Sequence, residues 1–331
     1  MTTSSPATFS SATLAPGGSA GSAVGAPVAA RAIGLRKVFG RTVAVEGIDL
    51  EVPSGAVLGM LGPNGSGKTT LIRMLLGLTR PTAGAAELLG HPVPEQAAWA
   101  LPQVGALVEG PGFHPFLSGR ENLCRVAAAE PLLASSEIAN AVGAVLKRVG
   151  LADAADRRYR GYSLGMKQRL GLAAALIVPR RLVVLDEPTN GLDPAGTRDV
   201  RRIIGELHEG GATVIVSSHL LAEVEATCTH VAVLQAGTLV ATGDLPSLLE
   251  AGTSGMVVVT PDVELTIRTM REAGATAYRS ESTEPAVVVK DGPPAPEAIS
   301  LLVRAGVSVH EARRSRANLE ELFARLTEET G

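Results

Sequence analysis

The chain has 331 residues and a formal net charge of −3, with a pI of about 6.1; the length suits one large domain with a smaller one, and the acidic balance argues against nucleic acid as a main partner. Its two cysteines, Cys124 and Cys228, show neither metal nor redox spacing and read as buried or free thiols of a reducing compartment. Mean hydropathy is +0.22, yet no apolar run approaches the roughly 18 to 20 residues of a membrane helix, so the apolar content fits a buried parallel sheet with helices on both faces.

Residues 1–30 are mostly Ala, Ser, Gly, Thr and Pro. They lack the basic start and continuous apolar centre of a secretory signal and are expected to form a disordered tail. Short apolar segments follow, Ile33 to Val38 and Val43 to Leu50, with Phe39 between them. From spacing alone, that ring fits either stacking on a nucleotide base or ordinary core packing.

Gly62-Pro63-Asn64-Gly65-Ser66-Gly67-Lys68-Thr69 is a complete phosphate-binding loop. Ala56 to Leu61 before it reads as a buried strand, and Leu71, Ile72, Leu75 and Leu76 after it have helical spacing. The glycines let the backbone turn several N–H groups toward one anion, and the helix start adds roughly half a positive charge at the same point. Lys68 is expected to reach the β- and γ-phosphates of ATP or GTP, and the Thr69 hydroxyl to ligate Mg²⁺.

Beyond a turn cluster at Thr79 to Gly84, Val104 to Glu109 is a short apolar run ending in a carboxylate, followed by the breaker-rich Gly110 to Pro115. Ser118 and Glu121 have the spacing of a capping box, and a helical segment runs to Val149 before Gly150. In Tyr162-Ser163-Leu164-Gly165-Met166-Lys167-Gln168-Arg169-Leu170, Ser163 is placed to cap a helix with an apolar face of Met166, Leu170, Ala173, Ala174 and Ile177. A capped helix start beside a glycine is a second anion site in principle, although most capped helices bind nothing.

Leu182 to Leu185 is an apolar strand running into Asp186 and Glu187. Two acids at the end of a buried strand are unfavourable unless a cation or a reaction uses them. With the phosphate loop upstream, Asp186 is expected to hold Mg²⁺ and Glu187 to polarise an attacking water. Thr213 to Ser217 is a β-branched strand leading to His219, at the strand end where α/β sheets bind ligands. After Val231 to Leu234 and a helix-like Pro246 to Glu250, Ala251 to Gly255 is the expected domain boundary. Strands at Met256 to Thr260 and Ala286 to Lys290, with helices at Val263 to Glu272, Pro294 to Arg304 and Asn318 to Leu326, then suggest a small α+β unit without a catalytic constellation.

In this order the motifs resemble the ATP-binding subunit of an ATP-binding cassette (ABC) transporter over about residues 31–250. Gly62 to Thr69 matches the family's Walker A loop, Leu182 to Asp186 its Walker B strand, and Glu187 its catalytic glutamate. Asn190 to Asp193 matches the D-loop, His219 the switch histidine and Phe39 the adenine-stacking aromatic. Ser163 to Met166 stands where the family has its signature sequence, which is far more specific than a Walker A loop.

The resemblance implies an α/β fold: a P-loop NTPase ABC ATPase domain with a helical subdomain over 31–250, and a small C-terminal α+β domain over 256–331. It implies ATP and Mg²⁺ as cofactors. Nucleotide would contact Phe39, Gly62, Pro63, Asn64, Gly65, Ser66, Gly67, Lys68, Thr69 and Thr70, with Ser163 and Gly165 reaching it from a second subunit. Lys68, Glu187 and His219 would serve catalysis, and Thr69, Asp186 and Glu109 the metal. The implied partners are a membrane permease and a second nucleotide-binding subunit, as a homodimer, with no nucleic acid; the implied location is peripheral, on the cytoplasmic face of the membrane.

Two departures from the family pattern point to its bacitracin, lantibiotic and daunorubicin exporter branch. Leu164 replaces the first signature glycine, and Glu109 replaces a glutamine of the metal-sensing loop. At ~4 Å and an effective dielectric of ~20, a Glu109 carboxylate would repel a phosphate charge by about 4 kcal/mol. That is tolerable if Mg²⁺ lies between them, if water screens the pair or if Glu109 is protonated. Three other readings stay open: a soluble ABC-type ATPase of translation or repair, the ATPase of a lipid or polysaccharide exporter, and a regulatory subunit with little turnover.

Overall fold

A computed structural model describes residues 27–108, 112–251, 255–280, 284–314 and 319–320. The central sheet has the order β10-β9-β3-β8-β7-β6. Its strands are β3 (Val57–Leu61), β6 (Val104–Leu107), β7 (Leu182–Asp186), β8 (Thr213–Ser218), β9 (His230–Gln235) and β10 (Thr238–Asp244). β9, β3, β8, β7 and β6 run parallel, and β10 pairs antiparallel at the edge. Every residue of β3, β7 and β8 is buried, as their nearly unbroken apolar sequences require.

Alternation along these strands feeds two cores. Leu58, Met60, Val184 and Ile215 face one, and Val57, Leu61, Val183, Val214 and Val216 the other. On the first face sit helix α1 (Lys68–Leu75) and a second sheet of order β2-β1-β4-β5. That antiparallel sheet is built from β1 (Val28–Phe39), β2 (Thr42–Pro53), β4 (Ala83–Leu88) and β5 (His91–Val93). So one face of the parallel sheet is covered partly by strands, where helices alone were expected. β4 reads Ala-Gly-Ala-Ala-Glu-Leu, a composition with little intrinsic strand preference, and pairing with β1 from Ala30↔Leu88 to Arg36↔Ala83 imposes its conformation. β1 begins at Val28, three residues inside the segment expected to be tail.

Helices α3 (Gly119–Ala128), α4 (Ile138–Arg148) and α5 (Leu164–Ala175) pack together as a helical layer on the second core, following the short α2 (Ala97–Ala100). The capping box at the start of α3 is complete: the Ser118 hydroxyl accepts the Glu121 N–H and the Glu121 carboxylate accepts the Ser118 N–H. Helices α6 (Pro194–Glu209), α7 (Leu221–Thr227) and α8 (Leu245–Ala251) complete this face.

The C-terminal unit runs β11 (Gly255–Val259), α9 (Val263–Glu272), β12 (Thr276–Arg279), β13 (Ala286–Lys290), α10 (Ala295–Arg304) and β14 (Glu311–Arg314), with sheet order β12-β13-β11-β14. This is the split βαβ arrangement, closed by Met256, Val258, Met270, Val287, Val289 and Leu302. The two strands not anticipated, β12 and the fully exposed β14, are the sheet edges. Charged edge strands carry no hydrophobic alternation to read. Leu319 is fully buried within the second core, so the chain returns to the larger body after the small unit.

Candidate active site

Three adjacent strands of the central sheet end at one level. Leu61 of β3 pairs with Ser218 of β8, and Asp186 of β7 with Ser217. This register places the Gly62–Thr69 loop, the Asp186–Glu187 pair and His219 at the same C-terminal sheet edge. The loop conformation is one only glycine supplies at a key point. Gly67 has φ +103°, and a Cβ there would lie 2.6 Å from the Ala44 carbonyl oxygen. Contacts outside the loop brace it: the Gly237 N–H donates to the Ser66 carbonyl (3.1 Å), and the Glu46 N–H to the Gly237 carbonyl (2.8 Å).

Lys68, with a side chain 6% exposed, donates from Nζ to the Gly62 carbonyl at 2.7 Å and the Pro63 carbonyl at 3.3 Å. The same Nζ lies 3.7 Å from Glu187 Oε1. Glu187 Oε2 is 2.9 Å from His219 Nδ1. An ionised carboxylate only accepts, so Nδ1 carries the proton of this bond and Nε2 is the nitrogen left to face a ligand. Asp186 is buried at the end of β7, and its Oδ1 accepts from the Ser217 hydroxyl at 2.5 Å. Thr69 and Thr70 lie in the first turn of α1 and are partly exposed.

The other expected residues are placed as follows. Phe39 ends β1 half-exposed, with the Lys37 ammonium 4.9 Å from its ring centre. Ser163 is exposed and caps α5 by accepting the Met166 N–H at 3.2 Å. Leu164 is exposed and lies against Gly191, where a Cβ would collide with its side chain, while Gly165 faces Leu192. Asp193 caps α6 by accepting the Gly196 N–H at 2.8 Å. Lys68 and His219 thus both meet Glu187, whereas Ser163 caps α5 and Gly165 lies against Gly191 and Leu192. Glu109 lies outside the described residues.

Five further side chains enter the site without having been anticipated. Ser217 bonds the Asp186 carboxylate and accepts the backbone N–H of Glu187, and Gln168 of α5 donates from Nε2 to the Glu187 carbonyl at 3.1 Å. Glu223 accepts from Thr189 Oγ1 (2.8 Å) and from Ser218 Oγ (3.1 Å), tying the loop after Glu187 to the strand end before His219. Gln168 carries a weak sequence signal, five residues after the capping serine; the other four carry none, because polar residues in loops and strand ends are commonplace.

Two features fit a phosphate-bearing, cation-assisted ligand. Helix α1 starts on Gly67 with no side-chain cap, leaving its first N–H groups for an anion. The Ser66 hydroxyl is buried without a hydrogen-bond partner, a position that a loop-bound ligand would satisfy. Asp186, Glu187 and Thr69 offer hard oxygen donors of the type Mg²⁺ prefers. Among the described residues no group of three or more His, Cys, Asp and Glu side chains could hold a metal ion alone, so a cation at this edge would draw its remaining ligands from phosphate and water.

A family model described as "ABC transporter" matches residues 45–190. The chain is 36% identical over 296 residues to the uncharacterized ABC transporter ATP-binding protein YdbJ of Bacillus subtilis (strain 168), covering 89% of this chain and 94% of that protein. It is 33% identical over 302 residues to the daunorubicin/doxorubicin resistance ATP-binding protein DrrA of Streptomyces peucetius, covering 89% and 91%. Over a shorter span of 206 residues it is 42% identical to the bacitracin transport ATP-binding protein BcrA of Bacillus licheniformis, covering 62% and 66%. Among solved structures, an ATP-binding subunit of an ABC transporter superposes with a TM-score of 0.61 at 26% identity, over 67% of this chain and 92% of that one.

Proposed function

The chain belongs to the family of ABC transporter ATP-binding proteins, and from that premise we propose how its site hydrolyses ATP and what the hydrolysis drives. It is an ATP-binding, ATP-hydrolysing subunit of the kind that generally pairs with a membrane permease and dimerises. The observation that carries the site assignment is the contact chain Lys68 Nζ to Glu187 (3.7 Å) and Glu187 to His219 Nδ1 (2.9 Å) at one sheet edge.

In this reading the Gly62–Thr69 loop, continuing into Thr70, receives the β- and γ-phosphates on backbone N–H groups, with Ser66 Oγ as a further donor. The Lys68 ammonium exchanges the Gly62 and Pro63 carbonyls for phosphate oxygens and stabilises charge on the transferred group. Glu187, oriented by His219 Nδ1–H, accepts the proton of the attacking water. His219 Nε2 faces the γ-phosphate. Thr69 and Asp186 would hold Mg²⁺, which when bound would neutralise phosphate charge that two carboxylates otherwise repel. Phe39, with its half-exposed ring, stacks on the base.

Ser163 and Gly165 complete the site of a second copy in a nucleotide-sandwiched homodimer, a role supported by their position at the start of α5, Ser163 exposed and Gly165 partly so. ATP binding closes the dimer, and hydrolysis reopens it. Among the described residues no helix is long and apolar enough to cross a membrane, in keeping with a peripheral subunit on the cytoplasmic face. The relatives named for bacitracin transport and for daunorubicin/doxorubicin resistance support export of a drug, antibiotic or peptide through a separate permease. The exposed Phe116 is assigned in this reading to the surface that meets that permease.

Glu187→Gln tests the assignment. ATP binding should persist, hydrolysis should fall by about a hundredfold or more, and a closed dimer should accumulate on size-exclusion chromatography with ATP. Unchanged turnover would remove Glu187 from its role. Co-purification of a multi-helix permease from detergent extracts of the native source tests the transport reading separately.

A further inference from the structure

We infer that Ser217 is a positioning residue for ATP hydrolysis: one hydroxyl selects the Asp186 oxygen that faces the cation and pins the backbone of Glu187. The inference rests on the reading of Asp186 as a Mg²⁺ ligand and Glu187 as the base.

Ser217 is fully buried in β8 and stands directly opposite Asp186 of β7. Its Oγ donates to Asp186 Oδ1 at 2.5 Å, the short end of the range for a hydroxyl on a carboxylate. The same Oγ accepts the Glu187 N–H at 2.9 Å. A serine hydroxyl has one proton to give. One of its two lone pairs accepts the Glu187 N–H, and its single proton goes to Asp186 Oδ1. That bond uses one lone pair of Oδ1, which makes Oδ2 the less encumbered oxygen for a metal.

Glu187 needs this help. Its φ of +48° is a left-handed conformation rarely adopted by a residue with a side chain. Such strain persists where surrounding contacts over-determine it. The Glu187 carbonyl accepts from Gln168 Nε2 and from the Asn190 N–H, each at 3.1 Å, but both act on the oxygen end. Ser217 holds the nitrogen end. Alanine at 217 would strip Asp186 Oδ1 and the Glu187 N–H of a partner together, loosening the metal-holding and water-activating carboxylates in one step.

The test uses the full-length protein as wild type, Ser217→Ala, Ser217→Thr and Asp186→Asn. Calorimetry measures ADP affinity in EDTA and across a Mg²⁺ titration, alongside ATPase rates and melting temperatures. For Ser217→Ala we expect unchanged ADP affinity in EDTA. The Mg²⁺ concentration that half-restores tight ADP binding should rise by about ten- to a hundredfold. Its kcat should fall while KM for ATP at saturating Mg²⁺ holds, and Ser217→Thr should recover most of both. In an Asp186→Asn background, adding Ser217→Ala should shift the Mg²⁺ midpoint no further. If Asp186→Asn moves the midpoint and Ser217→Ala leaves it at the wild-type value, the Ser217 role is wrong and the metal assignment stands. If Asp186→Asn leaves it unmoved, the assignment of Asp186 fails and the inference with it. Should Ser217→Ala not fold, Ser217→Cys, a weaker donor of similar shape, takes its place, and an unshifted midpoint there refutes the role equally.

Discussion

Replacing Arg180 with Met while Glu130 remains would break a nearly buried ion pair that fastens the helical layer to the central sheet. The Arg180 and Glu130 side chains are 6% and 9% exposed. The guanidinium meets the carboxylate with both of its terminal nitrogens, and Nη1 also donates to the Pro102 carbonyl at 2.5 Å. Glu130 follows α3, Pro102 leads into β6 and Arg180 leads into β7, so three segments share one charge pair. An exposed pair would be worth about 0.2–1 kcal/mol, but removing one member of a buried pair strands the other and typically costs about 3–5 kcal/mol. At roughly 2–4 °C per kcal/mol for a body of this size, melting should fall by about 6–20 °C. Urea denaturation of Arg180→Met, Glu130→Met and the double variant closes a mutant cycle. Each single change should destabilise by about 3 kcal/mol or more, and the double variant should recover much of the loss because neither charge is left stranded. Single variants within about 0.5 kcal/mol of wild type, or a strictly additive double, would refute the argument.

Gly67→Ala should abolish tight ATP binding, since the new Cβ would sit 2.6 Å from the Ala44 carbonyl at φ +103°. Strain of about 1–3 kcal/mol accompanies such a conformation before any clash is counted, and a fluorescent ATP analogue titrated against folded protein measures the loss. Burial pushes the Cys228 thiol up to about 12 from its ordinary value of 9.0. Its neutral form is favoured in the folded state, so the associated stability is complete below pH 9 and declines as pH rises from 9 toward 12. Relative to Cys228→Ala, the wild type should therefore lose about 1.4 kcal/mol by pH 10, read from urea midpoints at each pH. Iodoacetamide at pH 8 should modify the partly exposed Cys124 well before Cys228, which should react only on unfolding.

Several local features were legible because a few neighbouring residues decide them. The Ser118–Glu121 box, the Ser163 cap and the helix Val263–Glu272 stand where sequence spacing puts them. The largely apolar runs of β3, β7 and β8 likewise announce a doubly covered sheet. β4 and the edge strands β12 and β14 were not legible, since pairing partners rather than their own side chains hold them extended. Glu109 was singled out from sequence and lies beyond the described residues.

The sequence by itself determined the chemistry on offer: a glycine loop with a lysine, two acids closing an apolar strand and a histidine closing another. Only the tertiary structure decided which of those groups touch and what steadies them. Ser217 lies 31 residues from Asp186, and Gln168 lies 19 from Glu187. Contacts over such separations depend on the register of β7 against β8 and on the seating of α5. That register follows from burying both faces of the sheet at once, because a slip of one residue would exchange every core-facing side chain for its opposite.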